Sequence, residues 1–166
     1  MDTAVDLIPI VLGLSVGIAF VISFSTMFDA NVPALSTSES AIITIDRTVC
    51  FGSCPDYSLT IYGNGTVIYD GRNFVAITGR QTSTIPQEDV RELIRSFYSI
   101  GYFSLIDEYV DQVTDLPTTT TSITIGGQFK QVINYYGAPE SLRQLENKID
   151  ETANSGIWIE GTSNLQ

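Results

Sequence analysis

Apolar and polar residues alternate along three short stretches, 41–48, 58–63 and 66–71, and this period of two predicts three β-strands. The second and third strands flank Asn64-Gly65 and form a hairpin. A two-residue loop would pair Leu59 with Asp70 and place a charge on the apolar face. The pattern therefore favours a three-residue loop with a left-handed Gly65, which aligns one apolar face comprising Leu59, Ile61, Val67 and Tyr69.

A period of 3.6 replaces this alternation in two later segments. Residues 86–99 place apolar side chains at helical spacing, and Pro86 suits the first position of a helix. Residues 139–153 show the same spacing and predict the last helix of the domain. After this helix, Trp158 is expected to fold back onto the core.

Three shorter segments complete the pattern. Residues 74–79 predict a fourth strand, and residues 121–136 predict a second hairpin that turns at two adjacent glycines, 126 and 127. Residues 102–110 predict a short helix that buries Phe103, Ile106 and Val110.

The order of these elements predicts an α+β fold, because hairpins rather than crossovers join most of the strands. We expect a largely antiparallel sheet of about six strands, with two or three helices packed on it. This domain spans residues 41–160, between a polar linker at 29–40 and a disordered tail at 161–166.

One N-terminal transmembrane helix is predicted ahead of this domain. Residues 7–28 form an uncharged apolar run of 22 residues, about 33 Å as a helix, and residues 1–28 therefore comprise an N-terminal tail and this helix. Gly13 and Gly17 form a small-residue face that a second transmembrane helix could approach closely. A cleaved signal peptide is the alternative, because Val32-Pro33-Ala34 offers small residues for cleavage.

The composition narrows the possible functions. The chain has 19 acidic residues against 8 basic ones and a net charge of -11, which argues against nucleic acid as a partner. It contains no histidine, so it lacks the commonest general base and metal ligand. We expect no cofactor and no resident metal, and we single out no catalytic residue.

The location is predicted from features typical of exported domains. The chain has a cysteine pair, few lysines and a glycosylation sequon at Asn64-Gly65-Thr66. These features place residues 29–166 outside the cytoplasm, on a single-pass protein of the cell membrane.

Cys50 and Cys54 are open to three interpretations. As a disulfide they would close a tight loop that is stabilised by roughly 2 kcal/mol through loop entropy. As thiolates they could hold Cu(I), since C-x-x-x-C-P is similar to the motif of the Sco copper chaperones, although those proteins also use a histidine and follow the motif with a helix. As a redox couple they would need a depressed thiol pKa, for which Arg47 is the base close in sequence.

A group of acidic residues in the second half of the chain offers a further possibility. Its oxygens could bind calcium, but their spacing does not match an EF-hand, and a solvated acidic face is the simpler interpretation. The group comprises Asp107, Glu108, Asp111 and Asp115.

The stretch R-T-V-C-F-G-S-C-P-D-Y, followed by G-N-G-T-V-I-Y-D-G, resembles an uncharacterised domain-of-unknown-function family marked by R-T-x-C-F-G-x-C-P-x-Y. The resemblance spans residues 42–158 and implies an exported, membrane-anchored or lipid-anchored protein without a settled activity. The residues that carry it are Arg47, Thr48, Cys50, Phe51, Gly52, Cys54, Pro55, Tyr57, Gly65, Tyr69, Gly71, Asp115 and Pro117.

These observations predict a membrane-anchored extracytoplasmic domain that works by binding, or as an accessory component of a membrane complex. Its expected partners are other transmembrane helices or membrane-protein subunits, and an enzymatic activity is not favoured. The alternative is an envelope thiol-redox or Cu(I)-binding protein that acts through Cys50 and Cys54.

Overall fold

The structure is a computed structural model and describes residues 38–113 and 115–161. These residues form an α+β fold, as predicted. The predicted transmembrane helix at residues 7–28, with Gly13 and Gly17, lies outside the described residues. Among the residues that are described, no helix combines the length and the apolar character needed to cross a bilayer.

A seven-stranded sheet runs through the described part of the chain, one strand more than the sequence predicted. The strands are β1 (Ile42–Arg47), β2 (Asp56–Tyr62), β3 (Thr66–Asn73), β4 (Gly79–Thr84), β5 (Glu108–Tyr109), β6 (Thr119–Ile125) and β7 (Gln128–Asn134). Their order in the sheet is β4-β3-β2-β1-β6-β7-β5, and every neighbouring pair is antiparallel except β5 and β7, which are parallel.

Three α-helices and one 3-10 helix accompany the sheet in the described residues. These elements are α1 (Gln87–Ser99), the 3-10 helix (Tyr102–Ser104), α2 (Glu140–Ala153) and α3 (Gly156–Ile159). The helices α1 and α2 are amphipathic and bury their apolar stripes, which is why the 3.6-residue period revealed them in the sequence.

The core lies between the helices and one face of the sheet. Strand side chains on this face are fully buried at alternate positions, as a one-sided sheet requires. The other face carries mainly threonine and serine, and Thr44 and Ser122 share a hydrogen bond of 2.6 Å across it. The strand residues that form the core are Ile43, Ile45, Leu59, Ile61, Val67, Tyr69, Ile123, Ile125 and Val132.

The β2–β3 hairpin has the predicted register. Leu59 lies opposite Tyr69 and Ile61 lies opposite Val67, with all four side chains buried. Gly65 adopts a φ of 89° and donates its N–H to the carbonyl of Tyr62, which closes the three-residue loop. The avoidance of a buried Asp70 therefore identified the correct loop length.

The prediction of a strand at residues 74–79 is wrong, because β4 begins only at Gly79. Phe74 has a left-handed φ of 54°, which interrupts the extended chain after β3. The N–H groups of Ala76 and Ile77 then donate to the carbonyls of Ile159 and Trp158, so this segment is held by the C-terminal helix rather than by a strand.

The predicted helix at residues 102–110 is also wrong. Only Tyr102–Ser104 is helical, as a single 3-10 turn, and the chain then extends into β5. Ile106 and Val110 are 60% and 58% exposed rather than buried. The segment is extended because Asp107 and Tyr109 offer their carbonyls to the backbone of β7 and its continuation.

The prediction that Trp158 returns to the core is confirmed. Its indole stacks on the ring of Tyr69 with the ring centroids 5.0 Å apart. Asn154, in the left-handed conformation with a φ of 52°, ends α2 and allows this return. The C-terminal helix thereby covers the β3 side of the sheet.

Candidate functional site

Most of the motif residues gather at one end of the sheet, which we call the motif end. Here β1 finishes at Arg47, β2 starts at Asp56 and β6 starts at Thr119. These strands are neighbours, so the loops at 48–55 and 110–118 emerge side by side. The first of these loops contains both cysteines.

Arg47 is the centre of a hydrogen-bond network that ties the sheet to α2. Its Nε and Nη2 atoms donate to Oδ2 of Asp150 at 3.0 and 2.8 Å, and its Nη1 donates to Oγ1 of Thr119 at 3.1 Å. The other carboxylate oxygen of Asp150 accepts from Tyr57 Oη at 2.7 Å and Ser155 Oγ at 3.0 Å. Two motif residues, Arg47 and Tyr57, therefore share one carboxylate.

The charge states of this network follow from its surroundings. Burial alone would lower the pKa of Arg47, but the attraction of Asp150 outweighs it and raises that pKa above the ordinary value. Burial, and then the charge of Asp150, also raise the pKa of Tyr57. Tyr57 consequently remains a protonated donor, and Arg47 remains a cation.

A second network, around Arg72, supports the start of β2. Arg72 Nε donates to Oδ1 of Asp56 at 2.5 Å, and its two Nη atoms donate to the Asp46 carboxylate at 3.0 and 3.2 Å. Asn73 donates to the second oxygen of Asp56 at 2.7 Å. Burial opposes the charge of Asp56, but the hydrogen bonds from Asn73 and Arg72 prevail and lower its pKa.

The loop at 48–55, which we call the cysteine loop, connects these two networks, since it runs from Arg47 to Asp56. Cys50 and Cys54 stand at disulfide-bonding distance, with their Cα atoms 5.5 Å apart. Gly52 has a φ of 153° and donates its N–H to the carbonyl of Cys50 at 2.8 Å. The glycine thus supplies the backbone conformation that closes the tight loop.

Hydrogen bonds between two pairs of residues join the cysteine loop to the loop at 110–118. The N–H of Thr48 donates to the carbonyl of Thr118 at 3.0 Å, and the N–H of Thr118 returns a bond of 3.0 Å to the hydroxyl of Thr48. The N–H of Phe51 donates to the carbonyl of Asp115 at 3.3 Å. Asp115 has a left-handed φ of 72°, a conformation that glycine, asparagine and aspartate adopt more readily than other residues.

Apolar side chains on these two loops point into solvent. Phe51 is 88% exposed, while Val49 and Leu116 are 46% and 40% exposed. We call Val49, Phe51 and Leu116 the apolar tip. An aromatic side chain this exposed, on a loop held by so many hydrogen bonds, is the feature of the motif end that local stability does not explain.

Two open depressions of about 550 Å³ each flank Arg47 below the tip. Pro55 and Tyr57 line the first, together with Asp150. Pro117 lines the second, where Glu146 is also found. Arg47 and Asn147 line both depressions.

Glu146 is a buried acid on α2 that the sequence did not identify. Its side chain is 3% exposed, and Asn134 donates Nδ2 to both carboxylate oxygens at 2.9 and 3.0 Å. Burial raises its pKa above the ordinary value, although the amide of Asn134 opposes this shift. The carboxylate of Glu146 thus links α2 to β7 through Asn134 and interacts electrostatically with Arg47.

The remaining motif residues shape the fold: Gly71 pairs with Tyr57 across β2 and β3, the rings of Tyr69 and Tyr57 have centroids 5.8 Å apart, and Gly65 lies at the other end of the hairpin. A Cβ at Gly65 would overlap the carbonyl of Ile85, and a Cβ at Gly71 would overlap the carbonyl of Ile77 and the ring of Tyr69. Tyr69 is buried and donates its hydroxyl to the Ile77 carbonyl at 3.1 Å. Asn64 is exposed in the hairpin loop at the opposite end of the sheet, where its Oδ1 accepts the N–H of Thr66 at 2.9 Å.

The acidic residues considered for calcium are not assembled into a site. Asp107 forms an ion pair with Lys130, and Asp111 accepts the N–H of the residue that follows it. Across residues 38–113 and 115–161, no group of three cysteine or acidic side chains has the proximity needed to hold a metal ion. The cysteines follow β1 and precede β2 in the chain, so neither lies in the first turn of a helix.

The residues that sequence reasoning missed are mostly the partners of those it found. Asp150 lies 103 residues from Arg47 and 93 from Tyr57, and Arg72 lies 26 residues from Asp46. No local spacing connects them. A charged residue at an expected helix end, such as Asp150, was the available signal, but it did not distinguish this acid from its neighbours.

The fold and the motif end together define a small α+β domain with a one-sided antiparallel sheet and a cysteine-bearing loop at one end. The chain belongs to the family described as domain of unknown function DUF6438, whose model matches residues 41–153. This confirms the resemblance to an uncharacterised family, while the sequence motif assigned to it stays a prediction. No match to the chain is found among curated proteins.

Proposed function

We propose that this protein is a membrane-anchored binding component that uses the apolar tip to engage a protein partner outside the cytoplasm. The observation that carries the proposal is the 88% exposure of Phe51 on a loop fixed at both ends. Exposed aromatic residues on ordered loops are typical anchors of protein interfaces, because little conformational entropy is lost when they are buried.

The charge of the domain supports a protein partner over a lipid surface. The chain carries a net charge of -11, and Asp111 and Asp115 belong to the loop beside Phe51. Such a surface is repelled by anionic phospholipids and by nucleic acid. It suits an apolar pocket whose rim carries lysine or arginine.

The topology supports an orientation in which the tip points away from the anchor. The chain enters β1 at Ile42 and leaves it at Arg47, so residues 38–41 and the motif end lie at opposite ends of the strand. At about 3.3 Å per residue, β1 separates them by roughly 17 Å. An anchor formed by residues 7–28 would leave the tip accessible.

The tip is tested by placing a photo-crosslinking amino acid at position 51 of the full chain in its native membrane. The matched control has the same amino acid at Phe129, which is also exposed, at 65%, but lies at the opposite end of the sheet. We expect one protein to be cross-linked from position 51 and not from position 129. The same protein should lose its cross-link when Cys50 and Cys54 are both replaced by serine, because the loop then loses its shape.

Equal cross-linking from both positions, or none from position 51, would refute the proposed interface. Protease added to intact cells tests the location separately, since an extracytoplasmic domain must be degraded. Thiol labelling with and without reductant tests the alternative function. Cys50 and Cys54 thiols that exchange readily or bind Cu(I) would favour the redox or copper protein instead.

A further inference from the structure

We propose that two copies of this chain pair through the outer edge of β4, antiparallel and about a two-fold axis at Thr82. This would join the two sheets into one continuous sheet. The inference is independent of the apolar tip, which lies on the loops at 48–55 and 110–118. It rests on the direction of the backbone groups of β4 and on its sequence.

The backbone groups of β4 alternate between β3 and the outside. The N–H of Ile85 donates to the carbonyl of Gly65, which makes that pair hydrogen-bonded. In an antiparallel ladder every second pair is hydrogen-bonded, so Ser83 and Gln81 also bond to β3. The N–H and C=O groups of Arg80, Thr82 and Thr84 therefore point outward, where no strand of the described residues pairs with them.

The β4 edge lacks the features that normally prevent strands from pairing. It is six residues long, contains no proline, is in register with β3 throughout and carries one charge, on Arg80. The opposite edge is protected, because β5 is two residues long and runs parallel to β7. Of the two edges, β4 is the one suited to strand addition.

The β4 sequence is complementary to itself in one register. A two-fold axis at Thr82 places that residue opposite its own copy and Arg80 opposite Thr84 of the partner. No like charges then face each other, and the outward groups form about six backbone hydrogen bonds. Placing the axis near Arg80 instead would bring the two guanidinium groups together.

The charge distribution identifies β4 as the favourable place for two copies to meet. The chain carries a net charge of -11, yet β4 contains no acid, and Arg80 faces Asp70 on β3. Two such chains repel each other overall, and salt screens this repulsion. Association through β4 should therefore strengthen as ionic strength rises.

Position-specific disulfide formation in the full chain, in detergent and in its native membrane, tests the register. Hydrogen-bonded partners in antiparallel strands have Cα atoms about 5.5 Å apart, within reach of a disulfide. We expect Thr82→Cys to yield a covalent dimer on mild oxidation. The matched control is Thr84→Cys, on the same face of the same strand, whose copies would lie more than about 12 Å apart at roughly 3.3 Å per residue.

Thr82→Pro provides the second test. Proline removes an N–H that points away from β3, so the β3–β4 ladder is retained while the outer edge is blocked. In light scattering of the full chain, we expect this variant to lose at least tenfold in dimer affinity, whereas Thr82→Val retains it. Equal cross-linking at positions 82 and 84, or a Thr82→Pro variant that dimerises like the unmodified chain, would overturn the proposal.

Discussion

Asp150→Asn is the substitution that most directly tests how the motif end is held together. The change preserves the shape of the side chain but removes the charge that Arg47 requires. It also turns one acceptor oxygen into an amide nitrogen, so in either orientation the amide cannot accept both the bonds from Arg47 and those from Tyr57 and Ser155. The guanidinium would then be left largely buried without its hydrogen-bonded counter-charge.

The magnitude follows from burial and bond type. The Arg47 and Asp150 side chains are 22% and 19% exposed, which is intermediate between a surface pair and a fully buried one. Surface pairs contribute about 0–1 kcal/mol, and breaking a buried pair costs about 3–5 kcal/mol. We therefore expect the free energy of unfolding to fall by about 2–4 kcal/mol, or Tm to fall by about 8–16 °C at roughly 4 °C per kcal/mol.

Thermal and urea unfolding of the full chain, with Glu92→Gln as the control, measure this cost. Glu92 is also a helical acid, and it pairs with Lys148 on another helix, but its side chain is 63% exposed. The control should leave Tm nearly unchanged. Adding Arg47→Met to Asp150→Asn should recover part of the loss, because no buried cation remains. Equal effects of Asp150→Asn and Glu92→Gln would refute the reasoning, and so would strict additivity of Arg47→Met and Asp150→Asn.

Three further predictions concern other parts of the domain. Gly71→Ala should lower the free energy of unfolding by about 1–3 kcal/mol, because the added Cβ overlaps a backbone carbonyl. In Gly127→Ala the added Cβ meets no atom within 4 Å, so the loss should be about 1 kcal/mol and arise from the φ of 77°. Urea unfolding of the two variants measures both values. The raised pKa of Glu146 means that folding favours its protonated form, so stability from this group is present below its unfolded pKa and is lost as pH rises through the folded value. Glu146→Gln should therefore gain stability relative to the unmodified chain as pH rises above about 4, and a pH-independent difference would contradict this. If Asn64 carries a glycan, intact-mass measurement of the native protein should show the added mass with Thr66→Ser and lose it with Thr66→Val, and identical masses apart from the substitution would exclude it.

Local pattern sufficed where neighbouring residues decide the structure. The β2–β3 hairpin was predictable to its register, because a buried Asp70 excluded the alternative loop. The two long helices followed from their apolar spacing. In each case the competing arrangements differ by which side chain is buried, and that information lies within about 15 residues of sequence.

Local pattern failed where hydrogen bonds to residues far along the chain determine the backbone conformation. Residues 74–79 contain apolar and β-branched side chains that suit a strand, yet the carbonyls of Ile159 and Trp158 hold this segment as a loop. The segment after the 3-10 helix is extended because β7 offers it an edge. Neither partner is visible from the segment itself, since both are more than 20 residues away.

The same limit explains why the motif revealed two residues of the Arg47 network and hid the third. Arg47 and Tyr57 belong to one conspicuous stretch, while Asp150 lies in an otherwise ordinary helix. A compact motif contains one residue of each long-range contact and does not show the other residue. Its own residues therefore do not disclose whether they hold a ligand or hold the fold.

The hydrogen-bond pattern favours a structural role for Arg47. An arginine that recruits an anionic ligand must keep part of its guanidinium fork available. Arg47 instead directs Nε and Nη2 to one oxygen of Asp150 and Nη1 to Thr119, so three of its five N–H groups are used within the domain and Asp150 already balances its charge. The polar residues of the motif thus hold the loops in place, and the loops present the apolar side chain of Phe51 to solvent. This division of roles is why the proposed function rests on the tip rather than on the depressions beside Arg47.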